Sequence, residues 1–308
     1  MDVAGIINQM GVLFILLIVG YAIYKLKVID EEMNKKLSSL CLKVTCPALV
    51  LGAVASSGQQ GDPQKVLLVF AISVGLYVVF PLLGWALARL LRVPKEDRAL
   101  YQFMTIFSNV GNMGFPVILA IFGREAIIYS SVFNLAFNIF VYTLGVRLMS
   151  PQDDAHFDYK KLVNPGTVAC LLALILYFTG LQLPKMLTDV LDSLGSMTAP
   201  LSMLIIGASL ASIPMKEVFR EVRLYPYTLI KQLVFPVALF FILRLFLDDP
   251  VMLGTIVVVS AMPVAATTVM FANQYGGNTA LATKGIFLTT LASVATIPLL
   301  VYFMVSML

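Results

Sequence analysis

The sequence predicts an all-α polytopic membrane protein, with about ten transmembrane helices arranged as a 5+5 inverted repeat. Three observations predict it: a composition unsuited to water, two halves that resemble each other at a nearly fixed offset, and matching helix-breaking patterns in the fourth and ninth apolar segments. Apolar residues make up 59% of the 308 residues and charged residues 12%. A soluble domain carries roughly 25% charged residues. So few charges cannot cover a globule of this size, and the mean hydropathy of +0.92 points to an apolar solvent.

A helix needs roughly 20 apolar residues to cross about 30 Å of hydrocarbon. On that measure the spans fall near 6–26, 36–56, 65–90, 99–122 and 126–148, then near 166–180, 187–212, 225–246, 251–274 and 279–306. The first reads as a span, not a cleavable signal, because no basic region precedes it and no small-residue cleavage site comes after it. Residues 1–149 form the first half, 150–164 a cytoplasmic linker and 165–308 the second half.

Lys and Arg set the orientation. One side receives Lys25, Lys27, Lys35, Lys36, Arg89, Arg92, Lys95, Arg98, Arg147, Lys160, Lys161, Lys216, Arg220 and Arg223. The other receives Lys65, Arg124, Lys185 and Arg244. The first side is cytoplasmic, which puts both termini outside a plasma or inner membrane.

Thr45-Cys46-Pro47-Ala48-Leu49 returns as Thr198-Ala199-Pro200-Leu201-Ser202, 153 residues later. Val79-Phe80-Pro81-Leu82 returns as Val234-Phe235-Pro236-Val237 after 155, and Phe122-Gly123 as Tyr275-Gly276 after 153. An odd number of spans per half inverts the second half relative to the first, an architecture of many secondary transporters. The symmetry therefore argues for transport over a receptor or anchor.

Span four contains Phe107-Ser108-Asn109-Val110-Gly111-Asn112-Met113-Gly114-Phe115-Pro116, and span nine Ser260-Ala261-Met262-Pro263-Val264-Ala265-Ala266-Thr267-Thr268. Proline removes a backbone donor and glycine lowers the cost of unwinding. Unwound backbone at that depth must line a cavity or lie inside protein. Half-helices beginning near Asn112 and Pro263 then turn their N-terminal amides and positive dipole ends to the centre, where an anion fits. Asn109, Asn112, Thr267 and Thr268 add neutral hydrogen-bonding groups, beside Gly111 and Pro116. The alternative is a pair of proline kinks that relieve packing strain.

The seventeen acidic residues lie in loops or near span ends, with Asp192 the closest to an exception, whereas Lys43, Lys231 and Lys284 fall inside apolar segments. Without a carboxylate at depth, a substrate carboxylate is a candidate partner for Lys43 and Lys284. Lys231 and Lys284 lie about six residues, roughly 9 Å, inside a cytoplasmic span end, so snorkelling competes with that reading, above all for Lys231. Asn134 and Asn138, one turn apart on span five, either line the cavity or hydrogen-bond between helices. Cys41, Cys46 and Cys170 have no metal-like spacing and read as packing residues. The lone His156 sits in the polar linker, which excludes an intramembrane histidine relay. No metal, cofactor or nucleic-acid partner is expected. No span carries a paired acid or activated nucleophile, so no enzyme is expected either.

With these residues in view, the sequence resembles the auxin efflux carrier family. The resemblance rests on the 5+5 pattern, the Asn/Gly/Pro-rich span four, the Pro-broken span nine and Leu42-Lys43-Val44-Thr45-Cys46-Pro47-Ala48-Leu49. It covers essentially the whole chain, and the short central loop resembles the bacterial branch. That family includes plant auxin exporters and bacterial permeases for malate, malonate and similar carboxylates. The resemblance implies a fold like that of bile acid sodium symporters and sodium/proton antiporters, in which spans four and nine cross. It also implies a scaffold of spans one, two, six and seven, often dimeric, and a moving core of spans three to five and eight to ten. The buried aspartates of those antiporters are missing at the corresponding place here, which puts sodium or proton exchange in doubt as the primary task. The expected function is elevator-type transport of a small organic anion, a mono- or dicarboxylate or an auxin-like acid. The competing expectation is a sensor or receptor that keeps the transporter fold.

Overall fold

The computed structural model describes residues 3–55, 62–150, 164–212 and 218–307, and it is all-helical apart from one isolated backbone bridge. The linker expected at 150–164 falls outside the described residues except for its two ends, and His156 lies outside with it. Six helical stretches among the described residues are long and apolar enough to cross a bilayer: Glu31–Ala55, Pro63–Leu90, Ala126–Met149, Lys185–Ala211, Leu224–Leu243 and Thr279–Met307. Shorter apolar helices cover Gly11–Lys25, Val110–Phe122, Pro165–Thr179 and Pro250–Ala261. The large side chains left bare on the outside, such as Ile15, Ile18, Leu67 and Leu82, are those of a surface facing lipid. The chain is a polytopic membrane protein.

Helices α1 (Val3–Lys25), α2 (Glu31–Leu40), α3 (Cys46–Ala55) and α4 (Pro63–Leu90) open the chain. Then come α5 (Arg98–Ile106), α6 (Phe115–Phe122), α7 (Ala126–Phe140) and α8 (Val146–Met149). They are followed by α9 (Pro165–Thr179), α10 (Lys185–Ser196), α11 (Thr198–Ala211), α12 (Leu224–Leu229) and α13 (Phe235–Leu243). The last are α14 (Pro250–Ala261), α15 (Thr267–Gln274) and α16 (Thr279–Met307). The α2 start is earlier than the sequence suggested because Asp30 caps it, accepting from the Met33 amide at 2.7 Å.

Among the described residues there are four wide π-helical turns: Cys41–Thr45, Val141–Gly145 and Ile230–Val234 each join two helical segments without a break, and Val110–Gly114 opens the half-helix that continues as α6. Three of them end two residues before a proline, at Pro47, Pro116 and Pro236. The proline has no N–H for the preceding turn and its ring pushes that turn's carbonyl aside. A wider turn absorbs the displacement without ending the helix. Proline alone is not sufficient, because Pro81 and Pro298 sit inside the continuous helices α4 and α16.

Helix α1 runs along α11, and α3 lies between α9 and α10. Elsewhere α4 packs on α5 and α7, α14 on α13 and α7, and α16 on α12. In lipid, close helix contact depends on small residues. A Cβ added at Gly20 would overlap the Leu204 carbonyl, and one at Gly207 would overlap the Leu17 carbonyl and the Tyr21 amide. Gly195 meets the Leu49 backbone in the same way, so α10 can lie on α3. Gly207→Ala is expected to cost about 1–3 kcal/mol through overpacking against rigid backbone, read as a lower unfolding midpoint of the purified protein.

At one end of the helices Asp249 caps α14, accepting from Val251 at 3.0 Å and Met252 at 3.1 Å, and pairs with Lys65 Nζ at 2.7 Å. Burial alone would raise the Asp249 carboxyl. The Lys65 ammonium and the amides of Met252 and Val251 outweigh it and hold the carboxyl below its ordinary range. A depressed folded pKa gives stability that is present above the unfolded value of about 4 and is lost as pH falls through the folded value. Acid unfolding below about pH 4 is therefore expected to be shallower in Asp249→Asn than in the parent, as measured by unfolding midpoints across that range.

Candidate functional site

The site begins where two helices come apart at the same place. After α5 the chain extends at Phe107 (φ −104°, ψ 97°), and Asn109 (φ −77°, ψ 71°) starts the turn into Val110–Gly114. After α14, Met262 turns out of the helix (φ −56°, ψ 150°), and Ala266 returns to helical geometry before α15. The two unwound stretches lie side by side as a single antiparallel bridge, Ser108 against Val264. Asn109 N donates to the Pro263 carbonyl at 2.8 Å, and Ala265 N donates to the Phe107 carbonyl at 3.0 Å. Val264 N donates to Thr289 Oγ1 on α16 at 3.1 Å. Each break supplies the partners that the other would otherwise lack.

Asn109 and Asn112 stand on the near side of this crossing: Asn112 N donates to Asn109 Oδ1 at 3.3 Å, and Gly114 N to the Asn109 carbonyl at 3.0 Å. Thr268 N and Val269 N likewise donate to Ala265 O and Ala266 O. Several amides expected to face the centre are thus already engaged. The side chains keep more capacity. Asn112 Oδ1, Thr267 Oγ1 and Thr268 Oγ1 are buried without a hydrogen-bond partner. All three belong to the first turns of the half-helices beyond the breaks, where the dipole is positive. Pro116 and Pro263 are buried beside them. At Gly111 an added Cβ would meet only the Leu42 side chain, at 3.7 Å, so this residue faces the turn Cys41–Thr45.

The remaining candidates lie elsewhere. Lys43 is exposed on the turn Cys41–Thr45, and Lys284 is half-buried on α16. Asn134 Nδ2 points at Cys170 Sγ (3.9 Å), while Asn138 donates to the Asn134 carbonyl at 2.8 Å and accepts from Asn164 at 3.2 Å. Those bonds join α7 to the start of α9, an interhelical tie. The three thiols are buried and unoxidised, with Cys41 Sγ 3.7 Å from Cys46 Sγ.

The sequence pattern pointed away from Lys231, for which it favoured snorkelling. Lys231 is 2% exposed, and its Nζ donates to the Met262 carbonyl at 2.8 Å and to Ser108 Oγ at 2.9 Å. It therefore touches both breaks at once. The cause is the wide turn Ile230–Val234, which lets two consecutive polar residues face inward. Its neighbour Gln232, also fully buried, donates to the Thr289 carbonyl at 2.8 Å. The signal present in the sequence was Pro236, which places that turn around Lys231.

The family profile described as Membrane transport protein matches residues 5–160 and 155–301. The chain belongs to the Membrane transport protein family, the auxin efflux carrier family that its sequence resembles. Within this transport family, an uncharacterized transporter of Methanocaldococcus jannaschii is 25% identical over 302 residues, covering 94% of this chain and 95% of that one. A protein of Rhizobium meliloti named "Putative malonate transporter" is 24% identical over 301 residues, covering 94% and 92%. An uncharacterized transporter of Escherichia coli is 20% identical over 306 residues, covering 94% and 95%.

Two substitutions separate the site's scaffolding from its unsatisfied groups. Asn109→Ala removes the side-chain cap and is expected to cost about 1 kcal/mol of stability. Thr268→Val removes a buried hydroxyl that bonds nothing and is expected to leave the unfolding midpoint unchanged or raised. Both are read by thermal unfolding of the purified variants.

Proposed function

We propose that this membrane transport protein is a secondary transporter for a small organic anion, a mono- or dicarboxylate, bound at the crossing of the broken helices. The observation that carries the reading is the set of buried, unpartnered polar side chains there: Asn112, Thr267 and Thr268. A folded protein leaves few such groups without partners. These sit at two converging positive helix ends; the Thr267 and Thr268 hydroxyls donate hydrogen bonds to a carboxylate, and Asn112 Oδ1, an acceptor, takes a protonated oxygen or hydroxyl of the same cargo. Asn109, Gly111, Pro116 and Pro263 shape the backbone around them. Lys43, exposed beside the turn Val110–Gly114, supplies positive charge on the approach, with Lys284 and the Asn134–Asn138 pair farther out. The relative named for malonate favours a small carboxylate as the cargo.

In this reading the chain crosses the membrane ten times as two inverted halves, with both termini outside the cell membrane. Helices α1 to α3 and α9 to α11 form a scaffold, dimeric through its outer face. The broken helices move with α4, α7, α12, α13 and α16 as an elevator. The close α1–α11 contact at Gly20 and Gly207 supports one body. The bonds joining α5, α14, the Lys231 turn and α16 support the other.

The test pairs binding with flux. Purified protein is unfolded thermally in the presence of malonate, malate, succinate, benzoate and indole-3-acetate, and proteoliposomes are assayed for uptake of the radiolabelled acids. At least one acid is expected to raise the midpoint and to exchange across the vesicle membrane. Thr268→Val and Asn112→Ala are expected to weaken its binding about tenfold each, the loss of one buried hydrogen bond. An absence of both stabilisation and uptake across the panel overturns the proposal.

A further inference from the structure

Lys231 is buried where neither composition nor charge pairing accounts for it. The ion pairs among the described residues, Lys35–Glu31, Lys36–Glu32, Lys65–Asp249, Arg124–Asp192 and Arg223–Glu221, leave it out. Its surroundings are oxygen. Met262 O lies just past the last turn of α14 and accepts from Nζ. Ser108 Oγ also accepts from Nζ and in turn donates to Ser260 O, another terminal carbonyl of α14, at 3.3 Å. Carbonyls at a helix C-terminus have no partner inside the helix and carry the negative end of its dipole. Carbonyl and hydroxyl oxygens gathered at such an end are what a hard cation such as sodium requires. A positive side chain already fills the position, and a second cation within a few ångströms would be repelled in a medium of low dielectric.

We propose that Lys231 is a tethered substitute for a coupling cation: its ammonium fills the oxygen-lined site between the two breaks, and the carrier works without sodium. Helices α12 and α13 carry the residue, so the positive charge belongs to the protein and travels with the crossing instead of arriving from solution. The inference rests on reading the crossing as the transport site, and it concerns the oxygens bonded to or near Lys231 Nζ, not the side chains of Asn112, Thr267 and Thr268.

The test uses purified full-length protein with no organic acid present, so it succeeds or fails independently of the cargo. Unfolding midpoints are measured in sodium chloride, potassium chloride and choline chloride at equal ionic strength, for the parent and for Lys231→Gln. The parent is expected to unfold at the same temperature in all three salts. The variant is expected to be less stable in choline and to recover by about 3 °C or more in sodium, because the vacated oxygens together with the introduced amide oxygen accept the free ion. Where Lys231→Gln alone does not fold, Lys231→Gln combined with Ser108→Asp restores a charged ligand and carries the same expectation. A saturable, sodium-specific stabilisation of the parent overturns the proposal, as does a sodium-blind response in whichever variant folds. If neither variant yields folded protein, the parent's salt series decides.

Discussion

Backbone that leaves the helix at membrane depth must find its hydrogen bonds inside the protein, and that constraint organises the centre of this molecule. Phe107, Ser108 and residues 262–265 are buried, and there each orphaned backbone group would cost several kcal/mol. Residues 107–109 and 262–266 solve the problem jointly, through Asn109 N to Pro263 O and Ala265 N to Phe107 O. Neither break could persist without the other. The requirement then spreads outward: Val264 N needs Thr289 on α16, and Thr289 O is met by Gln232 on the turn that also carries Lys231. Helices far apart in sequence become neighbours because two short stretches lack partners.

Aromatic packing holds this arrangement from one side. Phe107, the first unwound residue, stacks on Tyr77 of α4 with ring centres 6.0 Å apart and meets Phe137 of α7 edge-on at 5.7 Å. Phe103, one turn earlier, lies 4.9 Å from Phe271 of α15. Such rings add about 0.5–1.5 kcal/mol per pair beyond their buried area, and they fix where α5 stops. The hydrogen bonds at the crossing are thus set on a packed aromatic bed, and Asn112, Thr267 and Thr268 nearby keep buried polar atoms without a partner.

Much of this was legible in the residues. The low charge fixed the solvent, and the runs Phe107–Pro116 and Ser260–Thr268 marked the places that unwind. What could not be read was direction around a helix. Lys231 and Lys284 lie at similar depths along their apolar segments, so counting residues from a span end treats them alike. One is 2% exposed at the crossing and the other half-buried on α16. Lys43, one turn before Pro47, looked harder to dismiss than Lys231, yet it is the exposed one. A wide turn rotates the next helical segment by an amount no regular period describes. Proline content misleads for a related reason: α4 and α16 run straight through Pro81 and Pro298, whereas the fourth apolar segment opens at Phe107–Asn109, well ahead of Pro116. At the fourth segment, hydrogen bonds offered by the second unwound stretch let the helix stay open.

The polarity of the junction comes from the same geometry. At each break one helix ends and another begins, so terminal carbonyls and terminal amides are gathered within a short distance of one another. Such a junction has a negative side, formed here by Ser260 O and Met262 O, and a positive side, formed by the first turns at Val110–Gly114 and Thr267–Gln274. A carrier of anions must compensate the negative side without presenting a competing negative charge near its cargo. A carboxylate that recruits sodium would bring that charge; a lysine bonded to the carbonyls does not. In this chain acidic residues are kept to loops and span ends apart from Asp189 and Asp192 in α10, where Asp192 pairs with Arg124, and a lysine is buried on the carbonyl side. For the proposed anion carrier the two facts work together: the carbonyl side is compensated by a lysine, and no acidic side chain described at the crossing competes with an anion there.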